Sequence, residues 1–398
     1  MFAFVLVILG AMIVLDVLWW ALALRLATQR SLRIVVNVFM ATQMAGLLAV
    51  VAGRWLRVDW LGRPPKVLFA AIIIWHFFGL AFLLPAEIVA TCAWLVRSMG
   101  RLTKGRQQAQ PPTPDPGALT RREFVAAAAA LTPPLFTIGL TGIAAAQLDS
   151  FRVRRFTLPI AGLPRDLDGA TIAHVSDIHV GRLTTGRVLR EMVRVTNELR
   201  ADLVLLTGDL INDALSDLSE GIALVKSMEA RHALWMIEGN HDLIENGAEF
   251  ERRVRASGVP FLLNESAVST VRGCPVQFFG LRWMRGDGQS RDRVTGAWLG
   301  ELLKARQPDA FPILLAHHPH AFDAAAEAGL PLTLSGHTHG GQLMLDSHRG
   351  FGSAIFRYWS GLYQKNASQM IVSNGVGNWF PIRVNAPAEI IHITLRRA

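Results

Sequence analysis

The residues able to do chemistry in this chain lie in five short polar clusters, each following an apolar run. The first reads Ile172-Ala-His-Val-Ser-Asp177-Ile-His179. At the end of a strand, residues i and i+2 point to the same side. A hard carboxylate and a borderline imidazole are then aimed together past the sheet edge. Thr207-Gly208-Asp209, Glu238-Gly239-Asn240-His241-Asp242, Ala316-His317-His318-Pro319 and Ser335-Gly336-His337-Thr338-His339-Gly340-Gly341 follow. In each, glycine or proline supplies a sharp turn with a His, Asp or Asn beside it. His337 and His339 repeat the spacing of the first pair.

Residues of ligand type therefore stand at five strand ends: Asp177, His179, Asp209, Asn240, His317, His337 and His339. Imidazoles, carboxylates and one amide suit Mn, Fe or Zn rather than Ca or Mg alone. These donors exceed what one ion with an open position takes. They suit two divalent ions sharing a bridging carboxylate, roughly 3.5–4 Å apart. Ions that activate water make a Ser or Cys nucleophile unnecessary, and the sequence has no Gly-x-Ser-x-Gly elbow. Its two cysteines, Cys92 and Cys274, imply neither a disulfide framework nor a cysteine zinc site. The other histidines read differently. His174 falls inside the first strand, off the Asp177–His179 face, as a core histidine. His318 and His320 read as loop or rim residues, and His232, His348 and His392 as surface or strand residues. Asp242 reads as closing the turn after His241. Trp379-Phe380-Pro381 reads as core packing, with an apolar rim near the site as the alternative.

The elements that must position these clusters are short apolar strands: Thr171–Asp177, Leu203–Asp209, Ala233–Asn240, Pro275–Leu281, Ile313–His317, Leu332–His337, Met370–Asn374 and Ile390–Leu395. Helical spacing of apolar residues predicts helices over Val188–Leu199 and Asp217–Met228. Early strands alternate with helices and later ones with loops. The expected class is α/β, a two-sheet sandwich flanked by helices with active loops at the strand ends.

Asp-x-His, Gly-Asp, Gly-Asn-His-Asp, a lone His and Gly-His-x-His, in this order, resemble the calcineurin-like metallophosphoesterase superfamily over about residues 155–398. Leu163-Pro164 and the Gly336–Gln342 run are similar to its bacterial membrane-associated or exported branch. The resemblance implies a four-layer fold and a role for each residue. Asp177, His179 and His339 would hold the first metal, and Asp209 would bridge. Asn240, His317 and His337 would hold the second. His241 would face the phosphate and protonate the leaving oxygen. Two departures stand out. Members that dephosphorylate proteins carry Gly-Asp-x-x-Asp-Arg, whereas Asn212-Asp213 stand here. The Asn212 side chain is expected to accept from the His241 imidazole, and the missing arginine counts against phosphoprotein substrates.

The first 150 residues have another character. Apolar runs at about Phe2–Leu24, Ile34–Ala52, Val67–Val96 and Phe124–Ala146 match or exceed the roughly 20 residues a span needs. Residues 1–98 read as three transmembrane helices, with Pro85 inside the third run and Trp19, Trp20, Trp55, Trp60 and Trp94 near their ends as an aromatic belt. Residues 99–120 read as a basic, Pro-rich cytoplasmic linker, 121–150 as a fourth transmembrane helix and 151–398 as the phosphoesterase domain. The first 150 residues carry seven of the nine net positive charges, so the domain lacks the basic footprint of a nucleic-acid binder. The positive-inside rule puts the linker inside and the domain on the outer face, although the Arg54–Lys66 loop then lies outside against the rule. Thr120-Arg121-Arg122-Glu123-Phe124-Val125 resembles a twin-arginine export signal, with a positive-inside anchor as the other reading. Ala144-Ala-Ala146 looks like a small-residue cleavage site. Asp16, His76 and Glu87 are ionisable residues in or near the spans. Asp16 and Glu87 are expected to be solvated at the interface.

The expectation for the whole chain is a membrane-anchored, two-metal phosphoesterase. Its substrate would be a small or lipid-linked phosphodiester, pyrophosphate or phosphomonoester. The alternative is a membrane sensor or transport component whose phosphoesterase-like domain binds without turnover.

Overall fold

The computed structural model describes residues 2–56, 64–79, 120–286, 288–346 and 349–398. Pro85, Glu87, Cys92, Trp60, Trp94, His348 and almost all of the linker lie outside these residues. Two compact units form, Met1–Ala145 and Ala146–Ala398.

In the first unit, Phe2–Leu26, Arg30–Leu56, Lys66–Ile73 and Arg121–Gln147 are helical, and Ile74–Gly79 continues the third helix as a π-helix. Among the described residues, three helices are long and apolar enough to cross a membrane: Leu6–Leu26, Arg30–Gly53 and Glu123–Gln147. Helix Arg121–Gln147 opens on a capping box. The Thr120 amide donates to Glu123 Oε2 at 3.0 Å, and the Glu123 amide donates to Thr120 Oγ1 at 3.2 Å. This satisfies backbone donors that a helix start leaves unpaired, so Thr120 and Glu123 have a structural task within the twin-arginine-like stretch. The helix runs through Pro133-Pro134 and includes Ala144–Ala146. Thr137 Oγ1 donates to the Pro133 carbonyl at 3.0 Å.

Asp16 is fully buried, contrary to the expected solvated position. The Trp75 indole donates to its Oδ1 at 2.7 Å, and His76 Nε2 meets its Oδ2 at 3.0 Å. His76 Nδ1 donates to the Ile72 carbonyl at 2.7 Å. One proton between Asp16 and His76 keeps the cluster neutral wherever it resides, which lowers the cost of burying it in an apolar unit. The π-helix presents Trp75 and His76 as neighbours toward the same partner. Trp19 is buried as well, edge-on to Trp75 with ring centroids 5.0 Å apart, and so departs from the expected aromatic belt.

Among its described residues the second unit holds eleven strands: β1 Phe151–Ile160, β2 Thr171–Val175, β3 Leu203–Thr207, β4 Ala233–Ile237, β5 Glu265–Val271, β6 Cys274–Gly280, β7 Phe311–Leu315, β8 Leu332–Ser335, β9 Gly361–Lys365, β10 Ser368–Val372 and β11 Ala388–Arg397. One sheet has the order β1-β11-β2-β3-β4 and the other β5-β6-β7-β8-β10-β9. Alternation along the strands builds the layers. Ile172, Leu203 and Leu205 point inward to meet Ile313, Leu315 and Leu334 of the opposite sheet. Ala173, Val204 and Leu206 point outward to meet Leu189 and Met192 of helix Gly186–Glu198 and Val225 of helix Leu218–Lys226. On the far side, Phe279 and Leu314 are covered by Leu299 and Ala325 from helices Gly288–Leu303 and Ala321–Glu327. The result is helix, sheet, sheet, helix. β1, β5 and β9 went unrecognised in the sequence because they are edge strands whose exposed faces break up their apolar runs.

Asp16→Ala removes the acceptor of Trp75 and His76 in an apolar interior. A loss of about 1–3 kcal/mol is expected, read as a lower melting temperature of the full chain in detergent. Val14→Ala, on the exposed side of the same helix, is the control. Equal melting of both variants would refute a stabilising role for the cluster.

Candidate metal centre

The five polar clusters meet at the carboxyl ends of parallel strands β2, β3 and β4 in one sheet and β7 and β8 in the other. Ligands in α/β sheets are expected at this edge. Past β2 the chain keeps laddering along the loop after β3. The amides of Asp177, His179 and Val180 donate to the carbonyls of Gly208, Asp209 and Leu210 at 3.0, 3.0 and 2.9 Å. Five of the expected ligands take left-handed backbone: Asp177 (φ 53°), His179 (47°), Asp209 (55°), His337 (73°) and His339 (51°). Such conformations cost on the order of 1 kcal/mol or more each and persist where the surroundings over-determine them. Close backbone approach sustains the loops. A Cβ on Gly208 would stand 2.6 Å from the Gly239 nitrogen, and one on Gly375 would stand 2.6 Å from Asp177 Cβ.

The donor atoms converge. His179 Nε2 and His339 Nε2 are 3.0 Å apart, and Asp177 Oδ1 is 3.2 Å from the latter. Asp209 Oδ2 lies between His179 Nε2 at 3.6 Å and His317 Nε2 at 3.2 Å. Asn240 Oδ1 is 3.2 Å from His317 Nε2 and 2.7 Å from His337 Nδ1. Two ligands bound about 2.1 Å from one ion are roughly 3.0–3.4 Å apart, so these spacings fit shared cations. Asp177, His179 and His339 form one group whose donors lie within 4.8 Å of one another, and Asp177, Asp209 and His317 form another. His179, Asp209 and His241 form a third, which brings His241 within ligand range although it was expected to stand outside the set.

Electrostatics prepare the two carboxylates and three of the four imidazoles to bind cations. Burial holds the imidazole of His337 down to about 3 and keeps those of His179 and His339 below the usual range, so each presents a lone pair. Burial opposes charge on His317 too, but Asp209 and Asp177 outweigh it and push it up to about 9. Burial also works against ionising Asp177 and Asp209, yet the surrounding imidazoles hold both carboxyls well below the ordinary range.

A second layer of residues fixes the first. His317 Nδ1 donates to the Thr207 carbonyl at 2.6 Å, which turns Nε2 to the site. Behind Asp177, Ser176 Oγ donates to Oδ2, Thr207 Oγ1 donates to Ser176 at 2.7 Å, and His174 Nε2 donates to Thr207 at 2.8 Å. His174 is thus a buried core residue, as expected, and also the far end of a chain leading to a candidate ligand. Asp242 accepts the amides of Asp209, Ile211 and Gly239 at 2.9, 3.0 and 2.8 Å, tying two motif loops together. His241 Nδ1 donates to the backbone carbonyl of Asn212 at 2.6 Å. The expected side-chain acceptor is therefore corrected: Asn212 Oδ1 is buried without a partner. A carbonyl can do this for any side chain at position 212, which is why the missing aspartate leaves His241 held.

Arg383 is a further residue that sequence reasoning missed. It is fully buried and donates to the carbonyls of Gly377 at 2.6 Å, Ala386 at 2.9 Å and Asn374 at 3.1 Å. Its Nη2 stands 3.3 Å from His339 Nδ1. The signal available was a single charge in the otherwise uncharged run Gly375–Pro387. Trp283, also missed, lies against His337, His317 and His318 with ring centroids 4.8, 5.5 and 5.5 Å apart. His318 and His320 stack on each other at 4.5 Å beside the candidate ligands. Trp379 is 42% exposed with its ring 5.7 Å from that of His241, so the rim reading replaces core packing.

Residues 170–341 match the family model described as calcineurin-like phosphoesterase. The domain belongs to the calcineurin-like metallophosphoesterase superfamily. Proteins named transmembrane protein with metallophosphoesterase domain are similar: that of Danio rerio is 29% identical over 255 residues, 61% of this chain and 56% of the relative. That of Bos taurus is 28% identical over 318 residues, 77% of this chain and 67% of the relative. The uncharacterized metallophosphoesterase YkuE of Bacillus subtilis is 29% identical over 248 residues, 60% and 84% of the two chains. The chain spans little more than half the length of the Danio rerio relative. The domain carries His and Asp clusters suited to metal, in a chain with helices apolar enough to span a membrane.

Glu238, just before Asn240, is buried with one oxygen unpartnered. Burial and then the Glu251 charge push its carboxyl up to about 7, from 4.5. A folded value above the unfolded one means that stability is lost as pH rises from the unfolded pKa through the folded one. Glu238→Gln is therefore expected to stabilise the domain by about 1–3 kcal/mol at pH 8 and to change little at pH 5. Thermal melts at both pH values check this, and an equal effect at the two would contradict it.

Proposed function

We propose that this protein is a membrane-anchored hydrolase that cleaves a phosphodiester, pyrophosphate or phosphomonoester at a centre of two divalent ions. The single observation that carries this reading is the convergence of Asp177, His179, Asp209, His317 and His339, all buried, with the half-buried Asn240 and His337 in one cluster. Mn, Fe or Zn suits the donor set. When bound, such ions supply Lewis acidity toward the phosphoryl oxygens and a water of lowered pKa.

The chain's own residues supply the rest. Asp177, His179 and His339 would hold one ion and Asn240, His317 and His337 the other, with Asp209 available to both. The carbonyl of Asn212 accepts from His241 Nδ1 and orients the ring, so that a second ring proton, on Nε2, would pass to the departing oxygen. Trp283 and Trp379 wall the site on two sides and limit water around the reacting group. The small net charge after residue 150 disfavours nucleic acid as substrate. Placement of the domain on the outer face, with Arg121-Arg122 read by twin-arginine export machinery, belongs to the same proposal.

The test uses the full chain in detergent, stripped of metal and reloaded separately with Mn, Zn or Fe. Bis-p-nitrophenyl phosphate and p-nitrophenyl phosphate are the substrates, and bound metal is measured by mass spectrometry. Parent protein is expected to bind two ions per chain, and Asp209→Ala fewer. His241→Ala is expected to keep its metal and lose about 10²–10⁴-fold in kcat. Two bound ions without turnover of either ester would falsify the hydrolase reading and favour a sensor or transport component.

A further inference from the structure

The exposed apolar side chains of the phosphoesterase domain are not scattered. Among its described residues, the large exposed ones are Ile244, Val268, Leu345, Phe351, Ile355, Leu362 and Trp379. All but Val268 lie on segments at the metal-centre end of the molecule. Ile244 ends the single turn begun by His241. Phe351 and Ile355 lie on helix Phe351–Ile355, and the next residue, Phe356, has its ring 5.8 Å from that of His337. Leu345, 82% exposed, projects from a turn whose preceding residue, Met344, packs with Trp359 and Ala386. Leu362 pairs with Ile371, three residues before Asn374. Trp379 stands against His241. Val268 sits in the middle of β5, paired with Gln277.

Single exposed apolar residues are ordinary, but a group rimming one opening marks a contact surface. Its occupant follows from the rest of the chain. Three helices of the same chain are long and apolar enough to cross a membrane, which would make lipid the apolar phase within reach. The rim also has the chemistry of a membrane interface: two aromatic residues, aliphatic side chains, and two exposed arginines, Arg349 between Leu345 and Phe351 in the chain and Arg285 on a neighbouring segment. Arg285 is held beside Ile244 by donating to the Leu243 carbonyl at 2.7 Å. Apolar side chains on both flanks of the candidate general acid favour a substrate whose leaving portion is apolar.

Resting on the hydrolase reading above, we propose that the metal-centre face docks on the bilayer and that the substrate is a lipid-borne phosphate ester whose tail remains in the membrane. Ile244, Leu345, Phe351, Ile355 and Trp379 are the anchors. His241 would then protonate an oxygen at the lipid–water boundary, and hydrolysis would add one water across the P–O bond.

Docking and substrate class are tested separately, with the full chain in lipid nanodiscs. In a background of Cys92→Ser and Cys274→Ala, single substitutions Ile355→Cys, Leu345→Cys and Val268→Cys carry an environment-sensitive dye, and the discs contain doxyl-labelled lipid. Docking predicts a blue shift and strong quenching at positions 355 and 345, and neither at 268. Equal quenching at all three overturns it. A blue shift at 345 and 355 without quenching also overturns it, because protein, such as a second copy, then covers the face. In the second arm, the double variant Phe351→Ser/Ile355→Ser is assayed on dioleoyl phosphatidic acid and a long-chain p-nitrophenyl phosphodiester in the disc, and on soluble bis-p-nitrophenyl phosphate. kcat/KM is expected to fall about tenfold on the embedded esters, as the loss of two apolar anchors implies, with the soluble ester unchanged. An equal effect on embedded and soluble esters overturns the proposed substrate class. If the parent protein hydrolyses no ester at all, the hydrolase reading fails, while the quenching arm still decides docking.

Discussion

Lone pairs cannot be buried facing one another without something between them. In this domain the Nε2 atoms of His179 and His339, the carboxylates of Asp177 and Asp209 and the amide oxygen of Asn240 all turn into one buried space. Protons can relieve part of this crowding, as between Asp209 and His317, and divalent cations relieve all of it. The two sheets, their order and the strained loops at their ends serve this convergence. Its cost is visible in the backbone, where Asp177, His179, Asp209, His337 and His339 adopt left-handed conformations.

What holds those loops is a layer of residues that touch no reactant. Asp242 gathers three amides from two loops, Ser176 and Thr207 support Asp177, and Arg383 draws together carbonyls from Asn374 to Ala386. A buried arginine among carbonyls is costly to place and hard to shift, which suits a loop that must keep Gly375 against Asp177. Departure from the Gly-Asp-x-x-Asp-Arg pattern is absorbed in the same way. The backbone carbonyl of Asn212 takes the imidazole proton that a side-chain carboxylate would otherwise accept.

The apolar helical unit obeys the same rule. Asp16, His76 and Trp75 satisfy one another inside an apolar bundle, and the capping box at Thr120 satisfies the first amides of the last helix. Polar groups that cannot reach water must find protein partners. The hydropathy pattern located the helices, but it placed Asp16 and Trp19 in contact with the interface because a one-dimensional pattern does not show which face of a helix meets another helix.

The sequence by itself determined the donors and their local geometry. Asp-x-His and Gly-His-x-His set two ligands on one side of a turn, and the glycines beside them announced tight loops, because such relations span only a few residues. It also determined the apolar spans and the alternation that layers the sheets. Only the tertiary structure decided what meets across the chain. Strand order brings Asp177 to His339, puts the Asn212 carbonyl rather than its side chain against His241, and sets Trp379 beside His241. Those pairings depend on sheet order and loop packing over tens to hundreds of residues, and no local spacing carries that information.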